Sequence, residues 1–224
     1  MRHPRGRRVR ALAAAGLALS AGAWVTTAPA DAAQLRPAQL RTALLTAEDL
    51  PRGFVERPGG GAGDVDEVTA EDACSRRWLA AETRVARLTG TALSAFVRGD
   101  GDATIVSAVN QFAAPGSAKA YVAAARARVT QCPTARWQLG DGVTMTMTHT
   151  PLSVPRQGEE SLALSVSTTI EQDGEAVPAR GTTVVVRRGA VLSSVHTTVV
   201  AGPVPRSAAL AARVSARLQQ ALRS

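Results

Sequence analysis

Apolar positions recur along this chain with two periods, near 3.6 and near 2, and the switches between them outline its elements. A helical pattern runs from about Pro37 to Leu45; Thr46 to Asp49 then offers a side-chain cap, and Leu50, Pro51 and Gly53 end it. Thr69 and Asp72 resemble an N-terminal cap for a helix that carries Cys74, Trp78, Ala81 and Val85 on one face. Residues 92–98 and 103–112 predict two strands around the turn-forming Gly99, Asp100, Gly101 and Asp102. A further helix starts at Pro115 to Ser117, sets Tyr121, Ala125, Val129 and Cys132 on one stripe, and stops at Pro133.

Strand periodicity dominates the second half. Val143, Met145, Met147 and His149 alternate with threonines, and Leu162, Leu164, Val166 and Ile170 alternate with Ala163, Ser165, Ser167 and Thr169. Asp173 and Gly174 mark a turn, while residues 182–187 and 191–200 flank a tight hairpin at Arg188 and Gly189. A last helix over about 207–222 sets Leu210, Val214, Leu218 and Leu222 along one side, which a sheet or another helix must cover. Pro58 to Gly63 is Gly-rich but lacks the Lys and Ser/Thr of a phosphate-binding loop, and reads as an ordinary loop. There is no internal repeat. The pattern predicts an α+β fold: a mainly antiparallel sheet of about six strands with helices packed on one face.

The N-terminus changes how charge is read. Arg2, Arg5, Arg7, Arg8 and Arg10 precede an apolar run from Ala11 to Val25, and small residues surround Pro29. A basic n-region, an apolar h-region and an A-x-A site predict a cleavable secretory signal over residues 1–33, followed by one domain over 34–224. Cleavage after Ala30 is the alternative to Ala33, and Arg7-Arg8 is a weak twin-arginine signal. No cysteine lies near the site, so neither a lipid anchor nor a transmembrane segment is expected in the mature form.

The whole chain has 26 basic and 18 acidic side chains, net +8; losing residues 1–33 removes five arginines and Asp31 and leaves +4. Much of the basicity is therefore targeting. The remaining arginines are scattered among only six aromatic residues, without the basic stripe and stacking platforms of a nucleic-acid groove, so no nucleic-acid partner is expected. Arginine outnumbers lysine twenty-five to one, Lys119 being the sole lysine, a bias that fits the GC-rich coding sequence of an actinobacterium.

Cys74 and Cys132 are the only cysteines, both on apolar faces of predicted helices. In an exported protein an even count favours a disulfide, with two buried free thiols as the alternative and no C-x-x-C to suggest redox chemistry. A bridge closing a loop of roughly 60 residues would stabilise the fold by about 4 kcal/mol in the chain-entropy model.

Catalytic signals are sparse. His149 and His196, the two histidines after the signal, stand alone in predicted strands, which offers no metal-ligand cluster, and no metal or cofactor is expected. There is no G-x-S-x-G elbow to place a serine nucleophile, so no catalytic residue is assigned. Arg98, Gly99 and Asp100 spell an adhesion tripeptide that simply makes a turn. Asp100 and Asp102 begin a calcium-loop pattern that Ile105 and Val106 break. The hydroxyl-bearing faces of the strands are the sharper candidate. Thr144, Thr146 and Thr148, Ser165, Ser167 and Thr169, and Ser194, His196 and Thr198 are expected on a sheet face away from the helices. Two readings compete: a solvated face, or a cleft floor in which Thr146, Thr148, Ser165, Ser167 and His196 bind a ligand.

The order of elements resembles a known family. The run from Leu44 to Phe54 comes first, then Cys74 on a helix, two strands, and Ala118 and Tyr121 on a helix ending at Cys132. Pro151-Leu152, Gly158-Glu159 before an alternating strand, and Val184 to Val191 complete the series. This resembles the PknH-like extracellular domain, the sensor module of an actinobacterial receptor Ser/Thr kinase, over almost the whole mature chain. The resemblance implies an antiparallel sheet flanked by helices and a cleft for a ligand not yet identified. There are departures: no kinase domain, no transmembrane segment, and one cysteine pair where the kinase's domain is understood to have two. The expected function is a secreted, non-enzymatic sensor-type domain of the cell envelope or extracellular space, binding a small or envelope-derived molecule. The alternatives are a module docking on an envelope protein, and a secreted hydrolase.

Overall fold

A strand with apolar residues in succession has no polar face to leave in water, and Ile105-Val106 and Val184-Val185-Val186 therefore demand cover on both sides. A computed structural model shows how this is met. It describes residues 34–57, 68–85, 88–99, 101–140 and 142–223, the side chains of 81–85 excepted. The expected signal over 1–33, the Gly-rich stretch at 58–63, Asp100 of the adhesion tripeptide, and the side chains of Ala81 and Val85 lie outside the described residues.

The strands are β1 (Phe54–Glu56), β2 (Val68–Ala70), β3 (Leu88–Arg98), β4 (Ala103–Phe112), β5 (Thr134–Leu139), β6 (Thr144–Pro151), β7 (Glu160–Gln172), β8 (Glu175–Arg188) and β9 (Val191–Val199). They form one antiparallel sheet in the order β1-β3-β4-β9-β8-β7-β6-β5-β2. The helices are α1 (Pro37–Thr42), α2 (Ala73–Val85), α3 (Pro115–Gln131) and α4 (Ser207–Ala221), with a 3-10 turn at Ala47–Asp49. Turn chemistry sets the register of the long hairpin β7–β8: Asp173 and Gly174 both take positive φ, 52° and 78°, which matches the twist of the flanking strands.

The α+β class and the antiparallel sheet stand, with two corrections. Among the described residues the sheet has nine strands rather than about six. Two of the additional strands, β1 and β2, are three-residue edges too short to carry a period. The third, β5, buries Ala135, Trp137 and Leu139 in alternation close behind Pro133, where the helix stop masks it. The second correction concerns layers: helices cover both faces.

On the first face α4 lays Leu210, Ala211, Val214, Leu218 and Ala221 over Ile105, Val109, Val184, Val186 and Val195, with Leu40 to Leu45 closing one side. Arg217 latches this layer, its guanidinium pairing with Asp49 (2.7 Å) and donating to the Leu44 carbonyl (2.6 Å). The second face carries α2 and α3. Here the apolar contacts break into three smaller groups, around Trp137 and Met145, around Phe112 and Leu192, and around Leu164 and Val166. Cover on this face is incomplete.

One backbone approach is unusually close. A Cβ on Gly181 of β8 would lie 1.8 Å from the Thr197 carbonyl oxygen of β9. Beside it Thr182, Thr197 and Ser207 join their hydroxyls, tying the two strands to the start of α4. Gly181→Ala is expected to force these strands apart and lower stability by about 3 kcal/mol, on the overpacking scale. Denaturant unfolding checks this; a wild-type midpoint would show that the strands separate freely.

Candidate functional site

Where cover is incomplete, the second face holds a cleft of about 140 Å³. Its floor is made by the inward residues of β6 to β9, among them Met147, His149, Leu162, Leu164, Val166, Thr183, Val185 and His196. Trp78 and Leu79 of α2 form one wall, and Tyr121, Ala125 and Arg128 of α3 form the other. A volume near that of an apolar cavity that holds a benzene ring suits a small body or the end of a chain.

The walls are fixed at one end by covalent chemistry. Cys74 and Cys132 are disulfide-bonded, with Cα atoms 5.2 Å apart. The bond joins the first turn of α2 to the C-cap of α3, as the placement of both cysteines on helices suggested. Asp72 caps α2: the Ser75 amide donates to its Oδ1 (2.6 Å) and the Arg136 amide of β5 to its Oδ2 (2.9 Å). Thr69, read with Asp72 as the cap, belongs instead to β2. Trp78 Nε1 donates to the Cys132 carbonyl oxygen (3.3 Å), and the Trp78 ring stacks on His149 with centroids 4.7 Å apart.

Arg128 completes the wall. Its side chain is buried, with the residue 8% exposed, and its guanidinium lies 4.8 Å from the Trp78 ring centroid and 5.9 Å from that of Tyr121. Nη1 donates a long bond, 3.4 Å, to the Trp78 carbonyl, while Nε meets no partner. His149, also buried, leaves Nδ1 without a partner. Burial lowers the pKa of His149, the charge of Arg128 lowers it further, and the Pro133 carbonyl acts the other way.

His196 sits on the same floor, hydrogen-bonded through Nδ1 to Thr183 Oγ1 (3.0 Å) and through Nε2 to Ser194 Oγ (3.1 Å). Burial lowers its pKa to about 4. A neutral imidazole of such low basicity is a poor general base near neutral pH. Moreover, the position behind the ring where a triad needs a carboxylate is filled by the Thr183 hydroxyl. The Ser194–His196 contact therefore gives no support to acyl transfer.

The expected common hydroxyl face does not exist. Register pairs Thr146 with Thr169, Thr148 with Ser167, and Ser165 with Thr182, so Thr146, Thr148, Ser165 and Ser167 share the first face of the sheet. His196 pairs with Thr183 and Val106, and lies with Ser194 and Thr198 on the opposite face. Ser165 and Ser167 are exposed, beyond the part of the sheet that α4 covers. Of the five candidates only His196 reaches the cleft. Sequence reading missed Trp78, Tyr121 and Arg128 as cleft residues. The available signal was Arg128 falling seven residues after Tyr121, on the stripe that the same helix buries.

No protein-family model matches the chain, and no curated protein matches it. Among solved structures, the extracellular domain of PknH from Mycobacterium tuberculosis superposes with a TM-score of 0.58 at 14% identity, over 84% of this chain and 98% of that one. An Rv0999 ortholog from Mycobacterium smegmatis is matched with a TM-score of 0.36 at 9% identity, over 85% of this chain and 98% of that one. The chain thus has the fold of the PknH extracellular domain. Among the described residues no helix is long and apolar enough to cross a membrane.

Two measurements follow from this geometry. Replacing both cysteines by serine should cost about 4 kcal/mol of stability, seen as a lower denaturant midpoint that the wild type reproduces only under reductant. The second is a pH dependence. The pKa of His196 falls from its ordinary 6.5 to about 4 on folding, so its neutral form stabilises the fold fully above pH 6.5. That contribution is lost as pH drops through 4, on the order of 2–3 kcal/mol, and His149 adds in the same direction. His196→Gln should flatten the decline in melting temperature between pH 6.5 and 4; an unchanged slope would place the acid sensitivity elsewhere.

Proposed function

We propose that the protein is a secreted, non-enzymatic sensor-type domain that binds a small or envelope-derived molecule reversibly in the cleft between α2, α3 and the sheet. In this reading residues 1–33 direct export and residues 34–224 are one domain. The observation that carries it is the cleft itself: a mainly apolar lining, with a few polar groups converging from Arg128, His149, Thr183 and His196. Apolar surface left open between covalently clamped walls is ready for a ligand without ordering of the chain, which keeps the entropic cost of binding low. The fold shared with the PknH extracellular domain supports the same reading.

Docking on an envelope protein by strand addition is less well supported. The two edge strands, β1 and β2, are three residues long, and a partner strand would gain few main-chain hydrogen bonds there.

The cleft reading is tested with a neutral apolar fluorophore, N-phenyl-1-naphthylamine, whose phenyl ring is the part sized for the cleft. Its emission should rise on binding the wild type, and Ala125→Trp, which adds an indole to the α3 wall, should weaken binding about tenfold or more. Equal affinities for the two proteins, both with wild-type unfolding midpoints, would remove the cleft as the site.

A further inference from the structure

An arginine cannot shed its proton in a protein, so a buried guanidinium is a permanent charge that something must compensate. Several arginines of this fold, most of them partly exposed, meet acids. Arg217 and Arg213 share Asp49, Arg187 meets Glu159 and Glu160, Arg126 meets Glu160, and Arg136 meets Glu71. Arg128, the one arginine that is buried among the described residues, meets none. Among the described residues no carboxylate reaches it, and no Asp or Glu lines the cleft it faces. Its partners are two aromatic faces and one carbonyl, and its Nε is unsatisfied. Burial lowers the pKa of both histidines of the cleft, His149 and His196, which disfavours a second positive charge there.

We infer that the ligand of this cleft is an amphiphile with a single anionic head, a carboxylate or a phosphate monoester. Its head pairs with the Arg128 guanidinium, and its apolar body lies along Met147, Leu162, Leu164 and Val166. The inference rests on the ligand-binding reading above and adds the chemical class. Three observations converge on it. Arg128 lines the cleft while more than nine-tenths buried, so an anion meeting it is shielded from water and the charge-assisted bond is strong. The planar guanidinium between the Trp78 and Tyr121 rings is held in one orientation, which fits recognition of a planar or tetrahedral oxyanion. The unpartnered Nδ1 of His149, whose ring stacks on Trp78, offers a second polar contact beside the head.

The test is calorimetric and uses four eight-carbon probes on the purified protein: octanoate, octyl phosphate, 1-octanol and octyltrimethylammonium. Octanoate or octyl phosphate should bind about 10- to 100-fold more tightly than octanol, and the cation most weakly. Which anion binds better identifies the head. Arg128→Met keeps the aliphatic stem and removes the charge; it should bring the anions down to the affinity the same variant shows for octanol. Arg128→Lys should recover part of the anion preference. The wild-type comparison needs no variant to fold. Equal binding of octanoate, octyl phosphate and octanol overturns the anionic head while leaving the cleft as a neutral binding site. If no octyl probe and no neutral fluorophore binds, the ligand-binding reading itself fails. An anion preference that survives in Arg128→Met overturns the assignment to Arg128.

Discussion

The bond between Cys74 and Cys132 is the constraint on which the cleft face of this molecule depends, because it pins the first turn of α2 to the C-cap of α3. One contact across them is the Trp78 indole on the Cys132 carbonyl, and another is Arg128 laid over the Trp78 ring. The pin sits at one end of the walls only, so it fixes the spacing at the cleft's base and leaves the floor uncovered. A protein of this size buries enough surface to fold without staples. The disulfide is therefore best understood as shaping one face of the sheet.

The two faces of the sheet divide the labour. On the first, α4 meets strands that turn Ile105, Val109, Val184, Val186 and Val195 toward it, and the resulting core is continuous from Leu40 to Ala221. Its rigidity is reinforced at Asp49, whose carboxylate is shared by two arginines of α4. On the second face the helices pack over separate apolar groups, and the gaps between them become the cleft. A sheet packed firmly on one side can leave part of its other side unfilled without losing its order, because the strands are already held by their ladders and by the first core.

Electrostatics inside the cleft follow from burial rather than from charge count. The histidines are neutral because the surroundings disfavour an imidazolium, and for His149 the nearby guanidinium disfavours it further. Arg128 is the one group there that cannot respond by losing its charge. Its stacking between Trp78 and Tyr121 offsets part of the desolvation, while its Nε and the Nδ1 of His149 stay unsatisfied. A polar pair left incomplete in an otherwise apolar hollow is where a ligand's own atoms are worth most.

Local pattern was enough to determine the helix carrying Cys74 and Trp78, the helix from Pro115 to Cys132, the hairpin turns at Asp173-Gly174 and before Val191, and the antiparallel α+β class. Each of these depends on neighbours in sequence: a cap, a proline, a positive φ, a period of two or of 3.6. Two kinds of fact lay beyond that reach. Strands of three residues carry no period, so β1 and β2 emerged only when paired. Which face a strand turns toward which helix is a matter of register across the sheet, and a shift of one residue exchanges the faces. That is why His196 parted from Thr146, Thr148, Ser165 and Ser167, although all five follow the same hydroxyl-rich alternation. It is also why Arg128, one arginine among twenty-five in the sequence, became the lone buried cation of a cleft only when folding set it between two rings and away from every described acid.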